Sequence, residues 1–149
     1  MYRHVGKVLI AALLSGIQFA RIVGIEVLPA LCAAARKLLL DSRLHSAQDA
    51  YNSGTSRRAR PLPPVEVREG DMLLLDWSDA DLVYLASTCF PDTLMQTLLR
   101  KFAQLKAGAV VLCLSVPDHF AQTMEMAAQE WVVTSVGRVR VFVLMRSEV

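Results

Sequence analysis

The sequence has little excess charge, few cysteines and no long uninterrupted apolar run, and each shortage removes a class of function. Lys and Arg exceed Asp and Glu by only two, an imbalance too small to mark a nucleic-acid binder by charge alone. The three cysteines, Cys32, Cys89 and Cys113, are odd in number and show no CxxC spacing. That pattern fits a reducing compartment and carries no metal signal. His4, His45 and His119 are scattered without ligand spacing, so no metal is expected at them. Gln18, Arg21 and Glu26 break the apolar stretches well short of the roughly 20 residues of a membrane helix, and no membrane partner is expected. Arg3, His4 and Lys7 ahead of VLIAALL have the outline of a secretory leader. Against that reading, Ser15-Gly16-Ile17-Gln18 is a poor cleavage site and the free thiols argue against export.

What is present is apolar and patterned. A chain of 149 residues with 54% hydrophobic residues can bury one core, so a single domain over residues 1–149 is the expectation. The polar stretch SAQDAYNSGTSRRARPLPP cannot build a core, and a flexible loop is predicted over 42–64. Within it Arg57, Arg58 and Arg60 read as solvated charges, with nuclear import or phosphate contact as the alternative.

Elsewhere, strand and helix periods alternate. Lys7 to Ser15 reads as helix, Ile22 to Ile25 as a short β-branched strand, and the Ala- and Leu-rich Leu28 to Leu40 as a helix ending in basic residues. VEVREGD predicts a strand ending at Gly70-Asp71, and DLVYLAST a second one from Asp81. PDTLMQTLLRKFAQLKAG predicts a helix with Pro91 near its start and Gly108 past its end. AVVLCLS follows as a buried strand, and DHFAQTMEMAAQ as an amphipathic helix with Asp118 at its cap. WVVTSV and RVRVFVLM alternate as strands and predict a hairpin around Gly137. The fold class is therefore α/β, with a mostly parallel sheet and an antiparallel pair at the carboxyl end.

One acid stands out. Glu26 follows the apolar strand and precedes the helix, and at the carboxyl edge of an open α/β sheet such an acid can accept both hydroxyls of a ribose. Its plainer reading is a cap on the next helix. Asp71, after Gly70, is likewise either a ligand-binding acid or a turn residue. Cys89 in STCF has no basic partner nearby in sequence and reads as a buried structural thiol.

The order of elements, together with VGIEVLPAL, EGDMLLLDW, DADLVYLASTCF and LKAGAVVLCLS, resembles a Rossmann-like S-adenosylmethionine-dependent methyltransferase. Within that group the chain is most similar to the disruptor-of-telomeric-silencing family of histone lysine methyltransferases. The resemblance implies S-adenosyl-L-methionine as cofactor, with Glu26 on its ribose, Asp71 on its adenine amino group and Met72 packed on the ring. It places Ser87, Thr88 and Phe90 beside the methyl group and the acceptor, in a segment where the family carries an Asn and this chain does not. It also implies a histone or other protein substrate, nucleic-acid contact that is only indirect, through chromatin, and an intracellular location, in nucleus or cytoplasm, the nucleus favoured.

The family's first, central strand and its turn of the kind D-x-G-x-G-x-G belong directly before the first helix. Only Val5-Gly6-Lys7 matches their end, with Gly6 as the last glycine. The expectation is thus an amino-terminally truncated methyltransferase domain, inactive as this fragment. The alternatives are a degenerate methyltransferase fold kept as a binding or scaffolding module, and a sheet completed by a partner's strand. No catalytic triad is expected, because the sulfonium already carries a labile methyl and the protein has mainly to align the reactants.

Overall fold

The computed structural model describes residues 6–41, 63–116, 119–134 and 137–147. The predicted loop over 42–64, apart from Pro63 and Pro64, therefore lies outside the described residues, as do the Arg57, Arg58 and Arg60 cluster, His4, His45 and the Asp118 cap. The chain divides into two compact units, Met1–Leu74 and Leu75–Val149.

In the first unit, helix α1 (Lys7–Leu14) leads to strand β1 (Ile22–Glu26), helix α2 (Pro29–Leu40) and strand β2 (Val65–Glu69). The β-branched run of β1 pairs in parallel with β2, from Ile22 opposite Val65 to Glu26 opposite Glu69. A parallel pair requires a crossover, and α2 supplies it. Pro29 occupies the first turn of α2, where its missing N–H costs nothing, and Lys37 lies in its last turn, toward the negative end of the dipole. Cys32 and Ala35 of α2 are buried against Val67 of β2, with Leu9 and Leu39 packed at the margin. The Arg36 guanidinium adds a hydrogen bond to the Val67 carbonyl at 2.8 Å. Gly24 makes room for α1 on the strand: a Cβ there would come within 2.9 Å of the Leu9 side chain.

The second unit contains strand β3 (Leu82–Leu85), a 3₁₀ turn (Ser87–Cys89), helix α3 (Asp92–Phe102), strand β4 (Val110–Cys113), another 3₁₀ turn (Phe120–Gln122), and strands β5 (Met124–Thr134) and β6 (Gly137–Arg146). Met95, Leu98 and Phe102 of α3 are buried, the spacing of one helix face. Asp92 in its first turn and Arg100 and Lys101 in its last suit the dipole at each end. Trp77 meets Phe102 edge to face, with centroids 6.4 Å apart. The sheet order is β3-β4-β6-β5. β3 and β4 are parallel, while β6 runs antiparallel to both β4 and β5. The hairpin is as expected; it closes with Thr134 opposite Gly137.

One element differs from the sequence reading. The segment DHFAQTMEMAAQ is not an amphipathic helix: after the short turn Phe120–Gln122 it enters β5 at Met124. Its residues are good helix formers, but the strand buries Met124 completely and pairs Met126 with Leu144. Tertiary burial of this kind overrides a local helical preference. A bulge interrupts the pairing between Met126 and Ala128, leaving Ala127 as the extra residue. Beyond it, β5 and the Gly137–Val141 end of β6 pair only with each other, because β4 reaches no further than Phe142.

Among the described residues, the predicted Rossmann-like sheet lacking its central strand corresponds to two sheets, β1-β2 and β3-β4-β6-β5.

Candidate functional site

The carboxyl edge of the β1-β2 pair gathers the two acids singled out in the sequence. Strand pairing ends at Glu26 opposite Glu69, and the next amide, Gly70 N–H, donates to the Glu26 carbonyl at 2.9 Å. Asp71 therefore follows directly on a residue bonded to Glu26. Each carboxylate uses one oxygen locally. Oε1 of Glu26 accepts the Leu28 N–H at 2.9 Å, and Oδ1 of Asp71 accepts the Leu73 N–H at 2.8 Å. The first closes the turn into α2; the second is an Asx turn that fixes the start of 71–74. Among the described residues, Oε2 of Glu26 and Oδ2 of Asp71 have no protein partner. Both acids are partly exposed.

The cap reading and the ligand reading of Glu26 are thus compatible. One oxygen orients the side chain on the backbone and the other remains for a donor from outside. Met72, half-buried, stands next to Asp71. Below the edge, the Cys32 thiol donates to the Glu26 carbonyl at 3.2 Å. Burial pushes that thiol's pKa up, and the charges of Glu69 and Glu26 push the same way against Arg36. A protonated thiol is the form that can make this bond. Gly6 caps α1 in a left-handed conformation, φ 73°. A Cβ there would meet Ala35 and Leu38 at 3.5 Å, an ordinary contact, so it is the positive φ that favours glycine.

The segment expected beside the acceptor lies in the second unit. Ser87 is buried, and its Oγ accepts the N–H groups of Leu114 and Ser115, each at 3.0 Å. The Ser115 hydroxyl returns a bond to the Ser87 carbonyl at 2.9 Å. Ser87 thereby ties the end of β3 to the end of β4. Thr88 is exposed, with its hydroxyl 3.8 Å from the Cys89 sulfur, and Phe90 is partly buried at the end of the 3₁₀ turn. Cys89 is exposed rather than the buried thiol its apolar surroundings in sequence suggested, because the 3₁₀ turn puts Ser87 inward in its place. Ser115 carried no signal in the sequence, since its partner is 28 residues away. Among the described residues no group of His, Cys, Asp and Glu has the arrangement of a metal site, and no helix is long and apolar enough to cross a membrane.

No protein-family model and no curated protein matches the chain. Solved structures do. An RNA methyltransferase from Salinibacter ruber, crystallised with S-adenosyl-L-homocysteine, superposes with a TM-score of 0.57 at 23% identity, over 87% of this chain and 67% of that one. The N-methyltransferase NodS from Bradyrhizobium japonicum gives 0.56 at 12% identity, over 86% and 74%. A SAM-dependent methyltransferase from Methanosarcina mazei gives 0.57 at 10% identity, over 85% and 82%. The fold is that of the S-adenosylmethionine-dependent methyltransferases. That fold accounts for the parallel β1-α2-β2 and β3-α3-β4 crossovers and for the antiparallel β5-β6 pair. The similarity to the disruptor-of-telomeric-silencing family is not among these structural matches, so it stands on the sequence segments alone.

Proposed function

We infer that this chain binds the nucleoside half of S-adenosyl-L-methionine through Glu26 and Asp71 and serves methyl transfer to a lysine of a protein, a histone being the class the sequence resemblance implies. The observation that carries the reading is the pair of carboxylates held at one sheet edge, each with one oxygen fixed by the backbone and one without a protein partner. This donor set fits the ligand: a ribose and an adenine amino group present hydroxyl and N–H donors, and a carboxylate is an acceptor only. Charge-assisted bonds of this kind are each worth roughly 1.5–3 kcal/mol. The Salinibacter protein is itself an S-adenosyl-L-homocysteine complex, which supports the choice of ligand.

When bound, the donor supplies an activated methyl on a sulfonium. The residues of this chain orient the nucleoside: Glu26 on the ribose, Asp71 on the adenine amino group and Met72 along the ring. Ser87 acts by holding its turn in place, because its oxygen already serves two amides, whereas Thr88 and Phe90 are the side chains of that turn available to an acceptor. A nuclear site of action goes with a histone acceptor.

Titration calorimetry with S-adenosyl-L-homocysteine tests the donor site. Glu26→Ala is expected to weaken binding by about thirtyfold, the equivalent of about 2 kcal/mol, with the fold retained by circular dichroism. Equal affinity of a folded Glu26→Ala variant would reduce Glu26 to the closure of its turn. Transfer of radiolabelled methyl to core histones, compared with transfer to RNA, tests the acceptor: label on RNA alone would overturn the lysine assignment, and donor binding with label on neither would overturn the transfer reading in favour of a binding module.

A further inference from the structure

The β5-β6 hairpin carries a feature that methyl-donor binding does not use. Beyond the bulge at Ala127 it continues as a two-stranded ribbon, and on one face of it Trp131 lies directly opposite Arg140, with Val133 opposite Arg138. The Arg140 guanidinium sits 4.8 Å from the Trp131 ring centroid and the Arg138 guanidinium 5.3 Å. Arg140 also reaches the Phe142 ring at 5.9 Å. Trp131 is nonetheless 54% exposed and Val133 78%. Among the described residues, neither arginine has a carboxylate partner. The one acid of the ribbon, Glu130, pairs with Val141 and borders the same concavity as Trp131 and Arg140, without an ion pair to either arginine. The Trp131 face is therefore cationic and aromatic, with both guanidinium groups free of a salt bridge among the described residues.

The two guanidinium groups lie over the indole in cation–π contacts that hold them in place, and the exposed faces of Trp and Arg are ones that bind flat partners. A flat partner that also brings negative charge matches both. Nucleic-acid bases stack on aromatic rings and on guanidinium planes, and the phosphates between them pair with arginine. A duplex hides its base faces, whereas single-stranded loops and ends of RNA present them. We propose that the Arg138-Trp131-Arg140 face of the hairpin is a contact site for single-stranded RNA, in which Trp131 stacks a base and the two arginines hold flanking phosphates. The contact is direct, unlike the chromatin-mediated one expected from the sequence, and it is independent of whether the β1-β2 edge binds a methyl donor.

The test uses the whole chain carrying Trp77→Phe, which leaves Trp131 as the only tryptophan. A fluorescein-labelled mixed-sequence RNA of about 12 nucleotides, a length suited to single-strand binding sites, is followed by anisotropy, and Trp131 emission is recorded with the unlabelled strand. RNA is expected to bind and to quench Trp131 at the same midpoint. Trp131→Ala should weaken binding by about tenfold, the scale of one lost base stack. The Arg138→Gln, Arg140→Gln double variant should flatten the log-affinity against log-salt line by about 1.4, at roughly 0.7 for each phosphate contact on a single strand. Arg138→Lys with Arg140→Lys should keep that slope and lose affinity, because lysine keeps the charge and not the plane. Val132→Ser, on the opposite face, should change nothing. The proposal is overturned if saturating RNA leaves Trp131 emission unchanged, or if Trp131→Ala binds as tightly as its parent. It is equally overturned if single-stranded DNA of the same sequence or polyglutamate binds more tightly than RNA, or if Trp131 emission changes with protein concentration alone as the chain dimerises.

Discussion

Among the described residues, the first unit, Met1–Leu74, buries four apolar side chains, Ile22, Cys32, Ala35 and Val67, whereas the second buries more and larger ones, Phe102, Leu98, Met95, Met124 and Leu144 among them. The polar groups are distributed the other way. In the first unit the acids Glu26 and Asp71 each keep an oxygen unused at the sheet edge, while in the second the buried Ser87 hydroxyl is saturated by Leu114 and Ser115. Burial of large apolar groups stabilises at about 25 cal/mol per Å², so among the described residues the larger apolar contribution lies in the second unit. The first leaves two carboxylate oxygens without a protein partner, and on the function proposed above a ligand that binds only the folded form would add to its stability by mass action.

The contrast can be broken most forcefully in the second unit. Phe102→Ala should cost about 3–5 kcal/mol by emptying a fully enclosed site, read by urea denaturation with Trp77, its edge-to-face neighbour, as the probe. If the amides of Ile22–Glu26 lose hydrogen-exchange protection to the same extent as those of β4, the two units are one cooperative body and the contrast fails. Ser87→Ala should cost about 1–3 kcal/mol, the penalty for orphaned buried amides, whereas Thr88→Ala, exposed, should stay within about 0.5 kcal/mol. Equal melting temperatures for the two variants would remove Ser87 from the frame. In the first unit, Gly24→Ala sets a methyl against the Leu9 side chain and should fall at the low end of the ~1–3 kcal/mol of overpacking, since that side chain can turn away. A rise in melting temperature would show that α1 packs loosely there.

A further effect is one of pH. Burial pushes the Cys113 thiol up to about 11 from its ordinary 9.0. Below pH 9 the thiol is neutral whether the chain is folded or not, and its contribution is complete. Between pH 9 and 11 the unfolded chain loses this proton and the folded chain keeps it, so stability falls as pH rises. Cys32 is shifted in the same direction. Melting temperatures measured from pH 8 to 10.5 should decline, and less steeply for Cys113→Ala. An unchanged slope in the variant would place the titration elsewhere.

Elements with a strong local pattern were legible in the sequence. The β-branched run before Glu26, the Ala- and Leu-rich α2 and the hairpin around Gly137 all stand where the pattern puts them. β5 was not legible as a strand at its start, because what decides it is Leu144, about twenty residues on, and local composition there favours a helix. The alternation Met124-Glu125-Met126 was the available signal, with Met124 buried and Glu125 exposed. At the candidate site, the positions of Glu26 and Asp71 at a strand end followed from the pattern, and their backbone partners two residues on are what such spacing allows. The saturation of Ser87 did not follow, since it depends on a strand 27 residues away.

The bulge at Ala127 acts as a frame shift written into a strand. Before it, Met126 faces Leu144; after it, Gln129 faces Phe142 and Trp131 faces Arg140. Continued from Met126 without the extra residue, the count would bring Glu130 opposite Arg140 and Val132 opposite Arg138, and would turn Trp131 to the other side with Val139. The same letters would then spell a ribbon with one of its two guanidinium groups answered from within. One inserted alanine therefore decides whether the arm presents both cations outward or keeps one of them to itself, and its chemistry is set by parity as much as by the identity of its residues.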